Sequence, residues 1–276
     1  MSVVRRGLLG GAILAGASFG MARAAGAQSL SSGALSANEP QLKTDEAAFR
    51  DQAEAVAPLP PQVERVGQDW ANLNRYKAAN RDALRLPAFN RRAVLMGDSI
   101  TDAWPGQTGD VFTRNGLIGR GIGGQTTAQM VVRFQPDVIA LKPLVVHILA
   151  GTNDVAENLD PYDFTATTNN LLAMAAMAKA NNIRVVMGSV PPATSFAWRP
   201  GVGNRSDKIQ TLNGWIKTFC AQNGHVYADY WPVLGDGLGG LKAGLGTDSV
   251  HPNAAGYAAM NPVALAAIDK AMSRGR

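Results

Sequence analysis

Arg92-Ala93-Val94-Leu95-Met96-Gly97-Asp98-Ser99-Ile100-Thr101 is the stretch that decides how this chain folds. Four apolar residues give way to glycine, an acid and hydroxyls. A run that short, bounded by turn chemistry, reads as a buried strand rather than a helix. Gly97 is expected to let the backbone turn as it leaves the sheet. Ser99 then sits at the strand's carboxyl end, the edge of a parallel sheet where ligands bind. A lone serine there is more often solvated or a helix cap, so the reading needs partners elsewhere in the chain.

The same logic returns in Val145-Val146-His147-Ile148-Leu149-Ala150-Gly151-Thr152-Asn153-Asp154, again an apolar run that ends in glycine and short polar side chains. Further candidate strands are Leu117 to Ile122, Ile183 to Val190 and His225 to Ala228, beside Ala93 to Met96 and Leu144 to Ala150. Helical stretches lie between them. One is capped at Asp160-Pro161 and runs to about Ala180; another spans Ser206 to Gln222; the last runs from about Asn253 to Met272, with Pro262 inside. Strands alternating with helices predict an α/β fold with a five-stranded parallel sheet covered on both faces. In the order 2-1-3-4-5 the switch point lies between strands one and three, so Ser99 and Asn153 would share one crevice. His147 and Cys220 are most simply core residues, and Asp98 and Asp154 read as turn and scaffold residues.

Two stretches complete the set. In Gly119-Arg120-Gly121-Ile122-Gly123-Gly124 the letters match a dinucleotide fingerprint. That run straddles the second strand and lacks a suitably placed acid, so it reads instead as a turn whose bare amides can face an anion. In Asp248-Ser249-Val250-His251-Pro252-Asn253 an acid stands three residues before a histidine. The acid can fix the imidazole tautomer while the other ring nitrogen takes a proton from serine. Gly16-Ala17-Ser18-Phe19-Gly20 also spells a nucleophile pattern, but it lacks the strand and helix that the pattern requires.

The ends of the chain bound its class. In 276 residues with a formal net charge of +5, Arg5, Arg6 and Arg23 fall in an opening segment that has no acid. Without it 23 basic and 21 acidic side chains remain, a balance of +2, which argues against a nucleic-acid partner. Arg5-Arg6, a Gly/Ala-rich apolar stretch and a small-residue exit predict an export signal over residues 1–27, with a possible twin-arginine route. The expected location is periplasmic or extracellular, with no stable membrane anchor. Residues 28–61 read as a partly disordered linker with some helix around Asp45 to Val56. Residues 62–90 read as a helical extension, its Val63–Leu84 pattern offering Val66, Trp70, Leu73, Tyr76 and Leu84 to one face, and residues 91–276 read as the main domain. Trp70 and Tyr76 are expected in the core rather than in a cleft.

Gly97-Asp98-Ser99-Ile100, Gly124, Gly151-Thr152-Asn153-Asp154 and Asp248-x-x-His251 together resemble the four blocks of the GDSL or SGNH hydrolase family. The closer match resembles bacterial secreted acylhydrolases of the platelet-activating-factor-acetylhydrolase-like type. The resemblance implies a flavodoxin-like three-layer α/β/α sandwich and metal-free hydrolysis of esters. It implies Ser99 as nucleophile, His251 as base and Asp248 as its orienting acid. The amides of Ser99 and Gly124 and the carboxamide of Asn153 would form the oxyanion hole. The chemistry agrees, because a serine hydroxyl is a weak nucleophile without a base and a tetrahedral oxyanion needs fixed donors. The expectation is a serine esterase acting on short acyl, above all acetyl, esters of a carbohydrate or lipid, with no cofactor or metal. An acyltransferase to a sugar hydroxyl is the alternative. A silent binding module is disfavoured because Ser99, Asn153 and His251 are all present. The Pro191–Gly203 loop carries Trp198 and Arg199, which would suit a sugar ring or polar head group, although Trp198 could instead pack only its own loop. Trp104 could narrow the acyl side. The oligomeric state stays open.

Overall fold

Each apolar run becomes a strand in the computed structural model, which describes residues 69–274. Strands β1 (Ala93–Gly97), β2 (Leu117–Gly121), β3 (Val145–Leu149), β4 (Arg184–Gly188) and β5 (Val226–Ala228) form one sheet, ordered β2-β1-β3-β4-β5. All pairings are parallel. Every residue of β1 and β3 is buried, as expected where helices cover both faces. Gly97 pairs with Leu149 at the end of the register, so the segments carrying Ser99 and Asn153 leave the sheet side by side.

Among the described residues six helices of two turns or more accompany the sheet: α1 (Lys77–Arg85), α2 (Ser99–Gln107), α3 (Thr127–Asp137), α4 (Phe164–Ala180), α5 (Ser206–Asn223) and α6 (Ala254–Ser273). Helices α2 and α6 pack on one face, and α3, α4 and α5 on the other, with α1 resting on α3. This is the three-layer α/β/α architecture that the alternation of strands and helices predicts. The helix ends are set by local chemistry. The Asn253 side chain accepts from the N–H groups of Ala255 and Gly256 to start α6, and α5 ends at Gly224, where φ is +71°. Between α2, α6 and the sheet lies an aromatic cluster of Phe112, His147, Tyr230 and Tyr257 around Trp104.

Several expectations change in the structure. The fourth helix starts later than expected, at Phe164. Its cap is Asp163, which accepts from the Ala166 N–H at 3.0 Å, while Asp160-Pro161 stays in the preceding loop. Within the described residues the N-terminal extension is helical only from Lys77. Before it the Asp69 carboxylate accepts from Leu73 and Asn74 N–H, a local alternative to helix. Helix α1 buries Asn80 and Ala83, whereas Trp70, Leu73 and Leu84 are exposed. The predicted apolar face is therefore not the docked face; a buried polar group found a partner in α3 and decided the orientation. Trp70 is accordingly not a core residue, and Tyr76 is half-buried. Residues 1–68, which carry the expected export segment, linker and start of the extension, lie outside the described residues. No helix among the described residues is long and apolar enough to cross a membrane.

Candidate active site

The turn after β1 is made by proximity rather than by an unusual glycine conformation. Gly97 remains in the strand with no positive φ, and a Cβ there would fall 2.7 Å from the Leu149 carbonyl oxygen and collide with the Thr101 side chain. Asp98 then caps α2, its carboxylate accepting from the Ile100 N–H at 3.0 Å. Its side chain is fully buried, and that burial pushes its pKa up to about 6. Ser99 is the first residue of α2, where backbone N–H groups have no intrahelical acceptor.

Ser99 Oγ stands 2.9 Å from His251 Nε2, and His251 Nδ1 stands 2.8 Å from Asp248 Oδ2. An ionised carboxylate only accepts, so Nδ1 carries the proton and Nε2 is left to receive one from the serine hydroxyl. The other carboxylate oxygen of Asp248 accepts from the N–H groups of Val250 and His251, both at 2.7 Å. Partial burial acts to raise the Asp248 pKa, but these donors and the imidazole hold it below the ordinary carboxylate value. The loop is pinned further by Asn253 Nδ2, which donates to the carbonyls of Gly244 and Gly246.

Across from the serine, Gly124 has φ of +77°, a left-handed conformation that a side chain would strain. Asn153 lies in a single helical turn, Thr152–Val155, directly after β3. Its Nδ2 donates to the Gln125 carbonyl at 3.0 Å, and its Oδ1 accepts from Asn158 Nδ2 at 2.9 Å. The second Nδ2 hydrogen of Asn153 is free of these bonds. A cavity of about 220 Å³ is lined by Ser99, Gly124, Asn153, Asn158, Trp198 and His251. On the other side of Ser99 and His251 a wider cleft of about 450 Å³ runs past Asp102, Gln107 and Thr247. Nucleophile, base and several N–H donors thus border one small space, an arrangement suited to acyl transfer.

Not every expected residue joins this space. Trp104 is 1% exposed, and its Nε1 donates to Asn261 inside the aromatic cluster. It is a core residue and does not narrow the acyl side, because its position in α2 points it at the sheet. Arg199 is exposed, does not line the cavity and makes no side-chain hydrogen bond among the described residues. Trp198 does line the cavity. Its ring centroid is 5.6 Å from that of His251 and 5.6 Å from that of Phe196, it is 40% exposed, and its Nε1 donates to Asn158 Oδ1 at 2.8 Å. Packing its own loop and facing the cleft are here the same position.

Asn158 is the site residue that the sequence reading missed. It donates to the Gly124 carbonyl and to Asn153 and accepts from Trp198, so it joins three of the lining residues. A lone asparagine five residues after Asn153 carries no signal by spacing alone. Asp154 is the scaffold residue that it was read to be, accepting from the Thr127 N–H and hydroxyl, with burial raising its pKa. His147 is wholly buried, paired with the Tyr230 hydroxyl at 2.7 Å, and burial pushes its pKa down to about 4. Gly119 and Gly121 lie within β2, where added Cβ atoms would meet Pro105 and the backbone at Asp102 of α2. Those glycines serve helix-to-sheet packing. Among the described residues no group of His, Cys, Asp and Glu is arranged to hold a metal ion.

The GDSL-like Lipase/Acylhydrolase family matches the chain over residues 95–259. A solved structure assigned as an acylhydrolase, from Bacteroides fragilis NCTC 9343, is 39% identical over 74% of this chain and 99% of its own, with a TM-score of 0.71. A GDSL-like lipase from Bacteroides thetaiotaomicron VPI-5482 is 40% identical over 73% and 98%, with a TM-score of 0.70. An acetylxylan esterase from Geobacillus stearothermophilus, 21% identical over 64% and 93% with a TM-score of 0.51, shares the fold. None of the curated proteins matches the chain.

Proposed function

Because the chain belongs to the GDSL-like lipase/acylhydrolase family, we propose that it is a serine esterase that removes short acyl groups, acetyl foremost, from a carbohydrate or lipid. The observation that carries this reading is the 2.9 Å and 2.8 Å relay from Ser99 through His251 to Asp248 at the end of β1. In the proposed cycle His251 Nε2 takes the Ser99 proton as Oγ bonds to the ester carbonyl carbon. The tetrahedral oxyanion is held by the Ser99 and Gly124 N–H groups and the free Nδ2 hydrogen of Asn153. The C–O bond to the alcohol then breaks, and the alcohol leaves with the proton from His251. Water repeats the sequence on the acyl-enzyme and restores Ser99. Asp248 keeps the imidazole in the accepting tautomer and stabilises its charged form.

Preference for a short acyl group is supported by the small size of the cavity beside the serine and by the indole of Trp198 at its border. The preference for carbohydrate rests on that half-exposed aromatic plane. The acetylxylan esterase shares only the fold, so its substrate adds no weight. Residues 1–27 we read as an export signal, which would deliver the enzyme to the periplasm or the exterior. The test of the whole reading is Ser99→Ala against a panel of p-nitrophenyl acyl esters and acetylated sugars. Loss of a triad nucleophile lowers turnover by on the order of 10⁶. A variant that keeps more than a few per cent of activity, or still reacts with a serine-directed fluorophosphonate, would remove Ser99 as nucleophile.

A further inference from the structure

Behind the cavity lies a buried polar network that the cycle above does not use. Arg133 of α3 is wholly buried, and each of its nitrogens is engaged. Nη2 donates to the Gly97 carbonyl at 2.8 Å, just before the nucleophile turn, and Nη1 to the Arg120 carbonyl at 2.9 Å and to Asp137 at 3.1 Å. Its Nε donates to the Gln125 side-chain oxygen at 2.5 Å. The Gln125 side-chain nitrogen, in turn, donates to the Ala71 carbonyl at 2.8 Å. The main-chain carbonyl of Gln125 accepts from Asn153 Nδ2 at 3.0 Å. Gln125 is therefore held from both ends of its side chain, while its backbone holds the carboxamide that faces the serine.

Ala71 lies outside the part of the chain that matches the family, which begins at residue 95. Its neighbours dock on the two elements that flank the Gln125 loop, β2 and α3. The Trp70 carbonyl accepts from Gln129 Nε2 at 2.8 Å, and the Tyr76 hydroxyl donates to the Gly121 carbonyl. Arg120 sits over the Tyr76 ring at 4.7 Å and takes Asn80 as a partner at 2.7 Å. Burying two arginines (Arg120, Arg133), Asp137 and the carboxamides of Asn80, Gln125 and Asn153 is costly unless every group is paired, and this cluster surrounds the loop that carries Gln125.

We propose that Gln125 is a positioning residue: anchored by buried Arg133 and by the upstream segment at Ala71, it aims the Asn153 carboxamide at the oxyanion. The proposal rests on the esterase reading. It makes the segment before β1 part of the catalytic architecture without contact with substrate. One of the two Nδ2 hydrogens of Asn153 is tied to the Gln125 carbonyl, so the direction of the other is set by where Gln125 stands. A small displacement of a donor reduces transition-state stabilisation more than ground-state binding, because the oxyanion exists only in the transition state.

The test is a double-mutant cycle on p-nitrophenyl acetate with wild type, Gln125→Ala, Asn153→Ala and the double variant, with Tm measured for each. Gln125 is chosen over Arg133 because removing the arginine would strand Asp137 in the core. Gln125→Ala is expected to lower kcat roughly tenfold to a hundredfold with KM little changed, since misplacement by about an ångström costs that much. In the Asn153→Ala background the same substitution is expected to cost almost nothing more, because there is no carboxamide left to aim. Equal kcat losses in both backgrounds, or a fall in Tm with kcat intact, would overturn the proposal. If Gln125→Ala does not fold, Gln125→Glu replaces it in the cycle: it keeps the acceptor for Arg133, loses the donor to Ala71, and is read by the same criterion. Ser99→Ala in the same assay separates the two claims. Residual turnover there would remove the esterase reading, whereas an additive cycle with a dead Ser99→Ala removes only the role of Gln125.

Discussion

Replacing Asp248 by asparagine and, separately, by alanine divides its two jobs. One oxygen of the carboxylate accepts from the N–H groups of Val250 and His251, both at 2.7 Å. The carbonyl oxygen of an asparagine can keep both bonds, so the loop should hold its shape. The other oxygen stands 2.8 Å from His251 Nδ1. An amide N–H placed there cannot accept, so the imidazole either loses its partner or takes the tautomer with its proton on Nε2. In that tautomer it faces Ser99 as a donor and cannot receive the hydroxyl proton. Where this inversion occurs in a serine-protease triad it lowers kcat by about 10⁴, equivalent to about 5 kcal/mol of barrier. The Asp248 side chain is 41% exposed here, so water screens its effect on the imidazolium. Asp248→Asn is therefore expected to lose about 10²–10⁴ in kcat with Tm unchanged. Asp248→Ala should match that loss and also destabilise the fold by about 1 kcal/mol, because two N–H groups exchange a charged acceptor for water. The assay is kcat on p-nitrophenyl acetate beside thermal unfolding. An asparagine variant that retains a tenth or more of wild-type turnover, or that lowers Tm as far as alanine does, would refute the division.

Trp198→Ala is expected to raise KM several-fold for an acetylated sugar while leaving KM for p-nitrophenyl acetate near wild type; equal changes on both substrates would confine the indole to packing. His147, with its pKa near 4 in the fold against an ordinary value of 6.5, binds its proton more readily unfolded. Wild type should therefore lose on the order of 3 kcal/mol relative to His147→Gln as pH falls from about 6.5 to about 4, and parallel stability curves would contradict the burial argument. Asp98 has the opposite sign: its pKa near 6 lies above the ordinary value of 3.8, so the folded state holds the proton more tightly. Its contribution is fully present below about 3.8 and is lost as pH rises from there through about 6, so Asp98→Asn should gain stability relative to wild type across that window and run parallel to it above. Curves for wild type and Asp98→Asn that stay parallel through this range would refute it.

The sequence by itself determined the sheet and the order of events along it. Five short apolar runs separated by helical stretches admit few arrangements, because parallel strands need long crossovers and both faces must be covered. The turn chemistry at Ser99, Asn153 and Asp248-x-x-His251 marked the carboxyl edge, since a buried strand that ends in small polar residues has few other uses. Tertiary structure decided what local pattern cannot encode. Trp104 and Trp198 are alike as letters, yet α2 turns one into the core and a loop leaves the other beside His251. The apolar stripe around Trp70 and Leu84 predicted the wrong face of the extension, because Asn80 found Asp137 and Arg120 across α3 and β2. Gly97 looked like a turn residue and proved to be a point of close approach. Asn158, Gln125 and Arg133 gave no signal at all. A hydrogen bond between residues 28 or 54 positions apart depends on where the sheet places their backbones, and spacing along the chain does not carry that information.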